Sequence, residues 1–205
     1  MNNIINKNNT LIILDWDDTL FPTSWFIQNN IDLNESYMKN LYISYFIELD
    51  NVLYKLLKKL IILGDVMIIT NALIEWINTS SSVLPKTKKI IEKITVISAR
   101  KNYQCYFPNM TDWKKQAFKV AKSHNYINVI SVGDAHYEYN ALIELYNNDH
   151  ATLLKSIKFM NDPEHHVVID QLNVIYDIIP KICNITEHLD LKFKLKHDIV
   201  LKKKN

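Results

Sequence analysis

Three aspartates within four positions, Asp15, Asp17 and Asp18, directly follow the apolar run Leu11-Ile12-Ile13-Leu14. Such a run reads as a buried strand that delivers the carboxylates to its own end. Two carboxylates about 4 Å apart repel by about 4 kcal/mol at an effective dielectric of about 20. A metal cation or a protonated member compensates a cluster of this kind. The cluster is therefore where chemistry is expected.

Five β-rich runs recur, at residues 11–14, 66–69, 94–97, 129–132 and 153–159, with helical patterns between them. Residues 37–61 place Met38, Leu41, Tyr45, Leu49, Leu53, Leu56 and Leu60 on one face of a single long amphipathic helix. Gly64 follows as its C-cap candidate. A second helix is expected near Thr111 with Trp113, Phe118 and Ala121 inward. A third is expected after Pro163, running through Leu172, Ile175, Ile178 and Ile182. Strands alternating with helices predict an α/β fold, a parallel sheet of about five strands flanked by helices.

Ligands of an open parallel sheet bind outside the carboxyl ends of its strands. Those ends carry Asp15, then Thr70-Asn71, then Ser98-Ala99-Arg100, then Gly133-Asp134. Of the two Gly-Asp pairs, Gly64-Asp65 precedes its strand and lies at the opposite edge, whereas Asp134 follows its strand and shares the edge with Asp15. Lys114 and Lys115 fall in the first turn of the second helix, where a lysine beside a helix N-terminus can hold an anion. Arg100 could fork onto a second phosphate or an acidic group, or make a structural salt bridge. His136 and Tyr137 could line the entrance, and His165-His166 reads as loop.

The composition is that of a globular chain, 48% hydrophobic and 22% charged, and 205 residues suffice to bury roughly 70% of the unfolded surface. A net charge of +2 does not by itself argue for nucleic acid. Cys105 and Cys183 lack metal-ligand spacing and read as reduced thiols. The start lacks a signal-peptide core and no apolar run is long enough to span a bilayer, so a cytoplasmic protein is expected. Residues 1–190 are expected to form one domain. Residues 191–205 read as a basic C-terminal tail, solvated or in contact with an anionic surface.

Together these motifs resemble the haloacid dehalogenase (HAD) superfamily of aspartyl-phosphate phosphatases. Asp15-Trp16-Asp17-Asp18-Thr19 is similar to its Asp-x-Asp-x-Thr motif, and Thr70 to its strand-ending Thr or Ser. Lys114, with Lys115 as the alternative, is similar to its helix lysine. Gly133-Asp134 with Glu138 is similar to its acidic motif, where an aspartate is commoner than Glu138. The segment Asp15 to Thr23, with Ser98-Ala99-Arg100 and Trp113-Lys114, further resembles a subgroup of small HAD-like proteins without a large cap.

The resemblance implies a Rossmann-like core and a Mg²⁺-dependent phosphatase. Asp15 would be the nucleophile and Asp17 the acid and base. Mg²⁺ would be held by Asp15, Asp134 and the Asp17 carbonyl. Thr70 and Asn71 would hold the phosphoryl oxygens, and Lys114 would neutralise charge. Glu138 would reach the metal through water or orient Lys114. Asp18 reads as a helix charge, Thr19 as a brace bonded to backbone, and Trp16 as packing. The interval up to Asp65 and the interval from Asn71 to Trp113 leave no room for a large cap, and residues 21–35 can form only a small flap. An open site suits a macromolecular phosphate, on a phosphoprotein or a nucleic acid end. Alternatives are a small-molecule or nucleotide phosphatase closed by an oligomer, and a phosphate-binding module without turnover.

Overall fold

The structure is a computed structural model that describes residues 5–122, 125–148 and 152–194. Its centre is a parallel sheet of six strands: β1 (Thr10–Leu14), β2 (Asp65–Thr70), β3 (Thr95–Ser98), β4 (Asn128–Gly133), β5 (Leu153–Lys158) and β6 (Leu189–Lys192). Their order is β3-β2-β1-β4-β5-β6. The chain starts in the middle, winds outward to β3, then crosses to β4 and winds the other way. The reversal lies between β1 and β4, the crevice where doubly wound sheets bind ligands.

The central strands are buried on both faces, which explains their unbroken aliphatic runs. Alternate residues face alternate layers. Ile12, Leu14, Ile68, Ile130 and Val132 pack against α3 (Ile43–Leu63) and α9 (His165–Asn184). Leu11, Ile13, Ile69 and Val129 pack against α7 (Met110–Ala121) and α8 (His136–Asn148). No helix among the described residues is long and apolar enough to cross a membrane.

The expected parallel α/β sheet of about five strands is present, with six, and two expectations are corrected. The sixth, Leu189–Lys192, turns Leu189 and Leu191 toward the core in a short strand that its aspartate and lysine disguise. Of the expected tail, Leu191 and Lys192 lie in β6, and 195–205 lie outside the described residues. The long helix is broken: α2 (Ser36–Leu41) ends before α3, and Tyr42 between them leaves helical geometry with its ring edge-on to Trp25 at 5.4 Å. Residues 21–35 are no flap. They form α1 (Thr23–Gln28) and a following loop whose Trp25, Phe26, Ile31 and Leu33 are buried in the main core.

Between β2 and β3 stand α4 (Ile74–Ser81) and α5 (Pro85–Ile91), and α6 (Ala99–Tyr103) follows β3. The buried Asp50 carboxylate in α3 accepts the Lys86 and Thr87 amides at 3.0 and 2.8 Å, tying α5's exposed N-terminal donors to α3. Gly64 ends α3 with extended backbone (φ −171°), so left-handed geometry is not its purpose. A Cβ there would lie 2.7 Å from the Thr10 carbonyl oxygen, so the glycine makes room for β1.

The α3–α9 contact has a specific polar clasp. Pro180 lies inside α9 and has no N–H, which leaves the Tyr176 carbonyl without its helical donor. Lys59 of α3 supplies one at 2.6 Å, and its ammonium stands 3.6 Å from the centroid of the Tyr176 ring. Lys59→Met is expected to lower unfolding stability by about 1–2 kcal/mol, read as a fall in urea midpoint at constant slope. In a Pro180→Ala background, where the helical N–H returns, the same substitution should cost less. An equal cost in both backgrounds would refute the clasp.

Candidate active site

Asp15 is the first residue beyond β1 and Asp134 the first beyond β4, so the two face the crevice between those strands. The Asp15 amide donates to the Val132 carbonyl at 2.9 Å, which fixes where the side chain leaves the sheet. From there the chain turns sharply. The amides of Leu20 and Phe21 both donate to the Trp16 carbonyl, and Asp18 adopts positive φ (52°). That strain is compensated locally. The Asp18 carboxylate accepts the Ser24 amide at 2.8 Å and the Ser24 hydroxyl, anchoring the first turn of α1. Asp18 is thus a scaffold residue, as its sequence position suggested.

Lys114 stands at the centre. It is fully buried in α7, with Nζ 2.9 Å from Asp15 Oδ1 and hydrogen-bonded to Glu138 Oε1. The contact to Asp15 is an ion pair without hydrogen-bond alignment, and Asp15 Oδ1 has no aligned donor. Lys115 instead faces Asp112 at 3.3 Å on the partly exposed side of the helix. Geometry therefore separates the two lysines and brings only Lys114 to the Asp15 cluster.

Glu138 is buried. Its second oxygen accepts the Ala135 amide at 3.1 Å at the start of α8. Gly133 makes this possible: a Cβ there would lie 2.5 Å from Glu138 Cγ. The two glycines of the chain thus both serve close approach. Thr19 is fully buried, and its hydroxyl donates to Asp134 Oδ1 at 3.3 Å, a carboxylate partner where a backbone one was expected.

The cluster is short of positive charge. One ammonium faces the carboxyls of Asp15, Glu138 and Asp134. Burial, with Glu138 and Asp17 adding repulsion against the pull of Lys114, pushes Asp15 up to about 7. Burial, then Asp15, Glu138 and Asp18, pushes Asp134 up to about 8. For Lys114 burial acts the other way, yet Asp15 and Glu138 outweigh it and hold its pKa above the ordinary lysine value. Among the described residues no group of three or more His, Cys, Asp or Glu side chains is arranged to hold a metal. Asp15 and Asp134 interact with each other, and their oxygens carry excess negative charge. That chemistry fits a hard divalent cation retaining several waters.

The neighbouring strand end supplies neutral groups. Thr70 is fully buried and its hydroxyl accepts the Ala72 amide at 3.0 Å. Ser98, its partner across β3, donates to the Ala72 carbonyl at 2.6 Å and clamps the 70–72 turn. Both polar atoms of the Asn71 side chain are buried without a hydrogen-bond partner. Arg100 is not brought into this group. It is exposed on α6 and its Nε donates to Gln104 at 3.2 Å. His165 and His166 begin α9 instead of forming loop, with the His165 ring 4.2 Å from that of Trp25.

Sequence reasoning missed the partners of Asp17. Its Oδ1 accepts the Trp76 indole N–H at 2.9 Å and the Thr23 hydroxyl at 2.5 Å. Trp76 lies in α4, six residues beyond Thr70, in a helix without a recognised motif. Trp16 packs as expected, its ring fully buried and its N–H donated to Ser80 at 2.9 Å.

No protein-family model and no curated protein matches the chain. Among solved structures, the chain is similar to the HAD domain of effector protein Lem4 from Legionella pneumophila. The identity is 12% and the TM-score 0.46, over 84% of this chain and 97% of that one.

Proposed function

We propose that the chain is a HAD-type, Mg²⁺-dependent phosphatase acting through an aspartyl-phosphate. The observation that carries this reading is the buried Lys114 between Asp15 and Glu138 at the β1–β4 crevice, with Asp134 beside it and positive charge still lacking. A buried array with surplus negative charge and an unpartnered amide suits a ligand bringing both a cation and phosphoryl oxygens. A bound Mg²⁺, held by Asp15, Asp134 and the Asp17 carbonyl, would supply charge stabilisation at the phosphoryl oxygens.

In this reading an Asp15 carboxylate oxygen attacks phosphorus, and the bond to the leaving oxygen breaks. Asp17, oriented by Trp76 and Thr23, delivers its proton to that oxygen. The Asp17 carboxylate then takes a proton from water, whose oxygen attacks phosphorus, releasing phosphate and restoring Asp15. Asn71 and Thr70 hold the phosphoryl oxygens, and Lys114 offsets charge on the nucleophile and the phosphoryl group. Residues 21–35 anchor Trp25, Phe26, Ile31 and Leu33 in the core, and among the described residues no large cap is evident over the edge. Access for a phosphate on a macromolecule follows.

Hydrolysis of an aryl phosphate with Mg²⁺ is expected for the wild type, with Asp15→Asn and Asp17→Asn lowering kcat by about a thousandfold or more. Activity that survives Asp15→Asn, or phosphate binding with no turnover of any phosphosubstrate, would count against this mechanism. Mg²⁺ at about 100 times its Kd should raise Tm by roughly 5–10 °C, and by much less in Asp134→Asn. Equal shifts would remove Asp134 from the metal set. Glu138→Gln and Gly133→Ala are each expected to lower kcat about tenfold or more by releasing Lys114. Their effects should not add, because the second merely displaces what the first neutralises. Additive losses would show that Gly133 acts through something other than Glu138.

A further inference from the structure

Lysines continue outward from the crevice across the sheet. Lys158 on β5 is the register partner of Gly133, and Lys192 on β6 is the register partner of Lys158. In-register neighbours of a parallel sheet point to one face, here the face on which Gly133 meets Glu138. Strand spacing sets the two lysines about 5 and 10 Å along this line from Gly133. Lys158 Nζ lies 3.3 Å from the His136 ring, two residues past Asp134, so the row begins at the rim of the site. Lys194 follows two positions beyond Lys192, where the chain leaves β6.

The three lysines, with Phe159, Met160 and Phe193, line a cavity of about 280 Å³. Phe193 is half-buried and rests on Phe159, ring centroids 5.0 Å apart. Among the described residues none of these lysines is within ion-pair distance of a carboxylate. Their charge is therefore turned to solvent at the open edge of the candidate site.

We infer that this row is a second binding subsite, for the backbone phosphates of a single-stranded polynucleotide whose terminal phosphate monoester enters the Asp15 site. The inference rests on the phosphatase reading and names its substrate class. Three cations lining one cavity match a polymer with regularly repeated phosphates. A half-exposed aromatic ring among them offers a surface on which a base can stack. A single phosphorylated side chain presents one monoester and no base to stack.

The test compares wild type with Lys192→Gln/Lys194→Gln, two positions remote from the Asp15 cluster. Fluorescence anisotropy in Mg²⁺ buffer measures binding of a labelled oligonucleotide bearing a terminal phosphate. Turnover of that oligonucleotide is compared with that of an aryl phosphate. The double variant should bind at least about tenfold more weakly, and the ratio of oligonucleotide to aryl phosphate kcat/KM should fall by a similar factor. The slope of log binding constant against log salt should become shallower by about 1.4, about 0.7 for each lost contact. Unchanged binding and ratio alongside normal aryl phosphate turnover would overturn the subsite and leave the phosphatase reading standing. Absence of all turnover, with lysine-dependent oligonucleotide binding, would overturn the phosphatase reading while keeping the row as a polynucleotide site. A phosphoserine peptide of matched charge that loses as much affinity as the oligonucleotide would overturn the choice of polynucleotide.

Discussion

A fully buried ammonium that keeps its charge needs close polar partners, and Lys114 has two carboxylates. Through Asp15 it is tied to β1, and through Glu138 to α8, while its own backbone belongs to α7. The ion pairs therefore join elements far apart in sequence at the point where the sheet reverses its winding. Removing one partner would leave a charge buried and uncompensated, typically at a cost of about 3–5 kcal/mol. The rest of the edge is arranged around that constraint. Gly133 gives up its side chain so that Glu138 can approach, and the Ala135 amide holds the other Glu138 oxygen.

The same cluster that Lys114 organises is left short of positive charge. Asp15 and Asp134 both rise well above ordinary carboxyl values, because burial and mutual repulsion exceed what one ammonium offsets. For each, raised pKa means the ionised form is disfavoured in the folded chain alone. A bound cation reverses that preference, and it does so at the oxygens a nucleophile and a metal ligand would need. Metal binding and carboxylate ionisation are therefore linked in the proposed mechanism.

Much of the candidate site's edge was legible because strand ends are marked by an abrupt change from aliphatic to polar residues. Asp15, Thr70 and Asp134 follow such changes, and chain direction sufficed to set Asp65 at the far edge, where its carboxylate accepts the Tyr126 hydroxyl. What stayed hidden depends on packing between distant segments. The sequence offers Glu138 two roles, and only the space that Gly133 vacates beside it shows how its carboxylate approaches Lys114. Trp76 has no local signal, since its role depends on an indole N–H reaching Asp17 across 59 positions. The break at Tyr42 carries no glycine or proline and accompanies aromatic packing on Trp25. The sixth strand is only four residues long and half charged, so periodicity had too little to act on.

The proposed chemistry requires that phosphorus be bonded transiently to one particular carboxylate. Acid quenching of the protein during turnover of an aryl phosphate, followed by borohydride reduction and peptide mapping, reads that bond directly. The mechanism predicts reduction of the residue 15 side chain to homoserine, dependent on substrate and Mg²⁺. Reduction at a different carboxylate, or continued turnover with no trapped adduct at residue 15 in either wild type or Asp17→Asn, would contradict it.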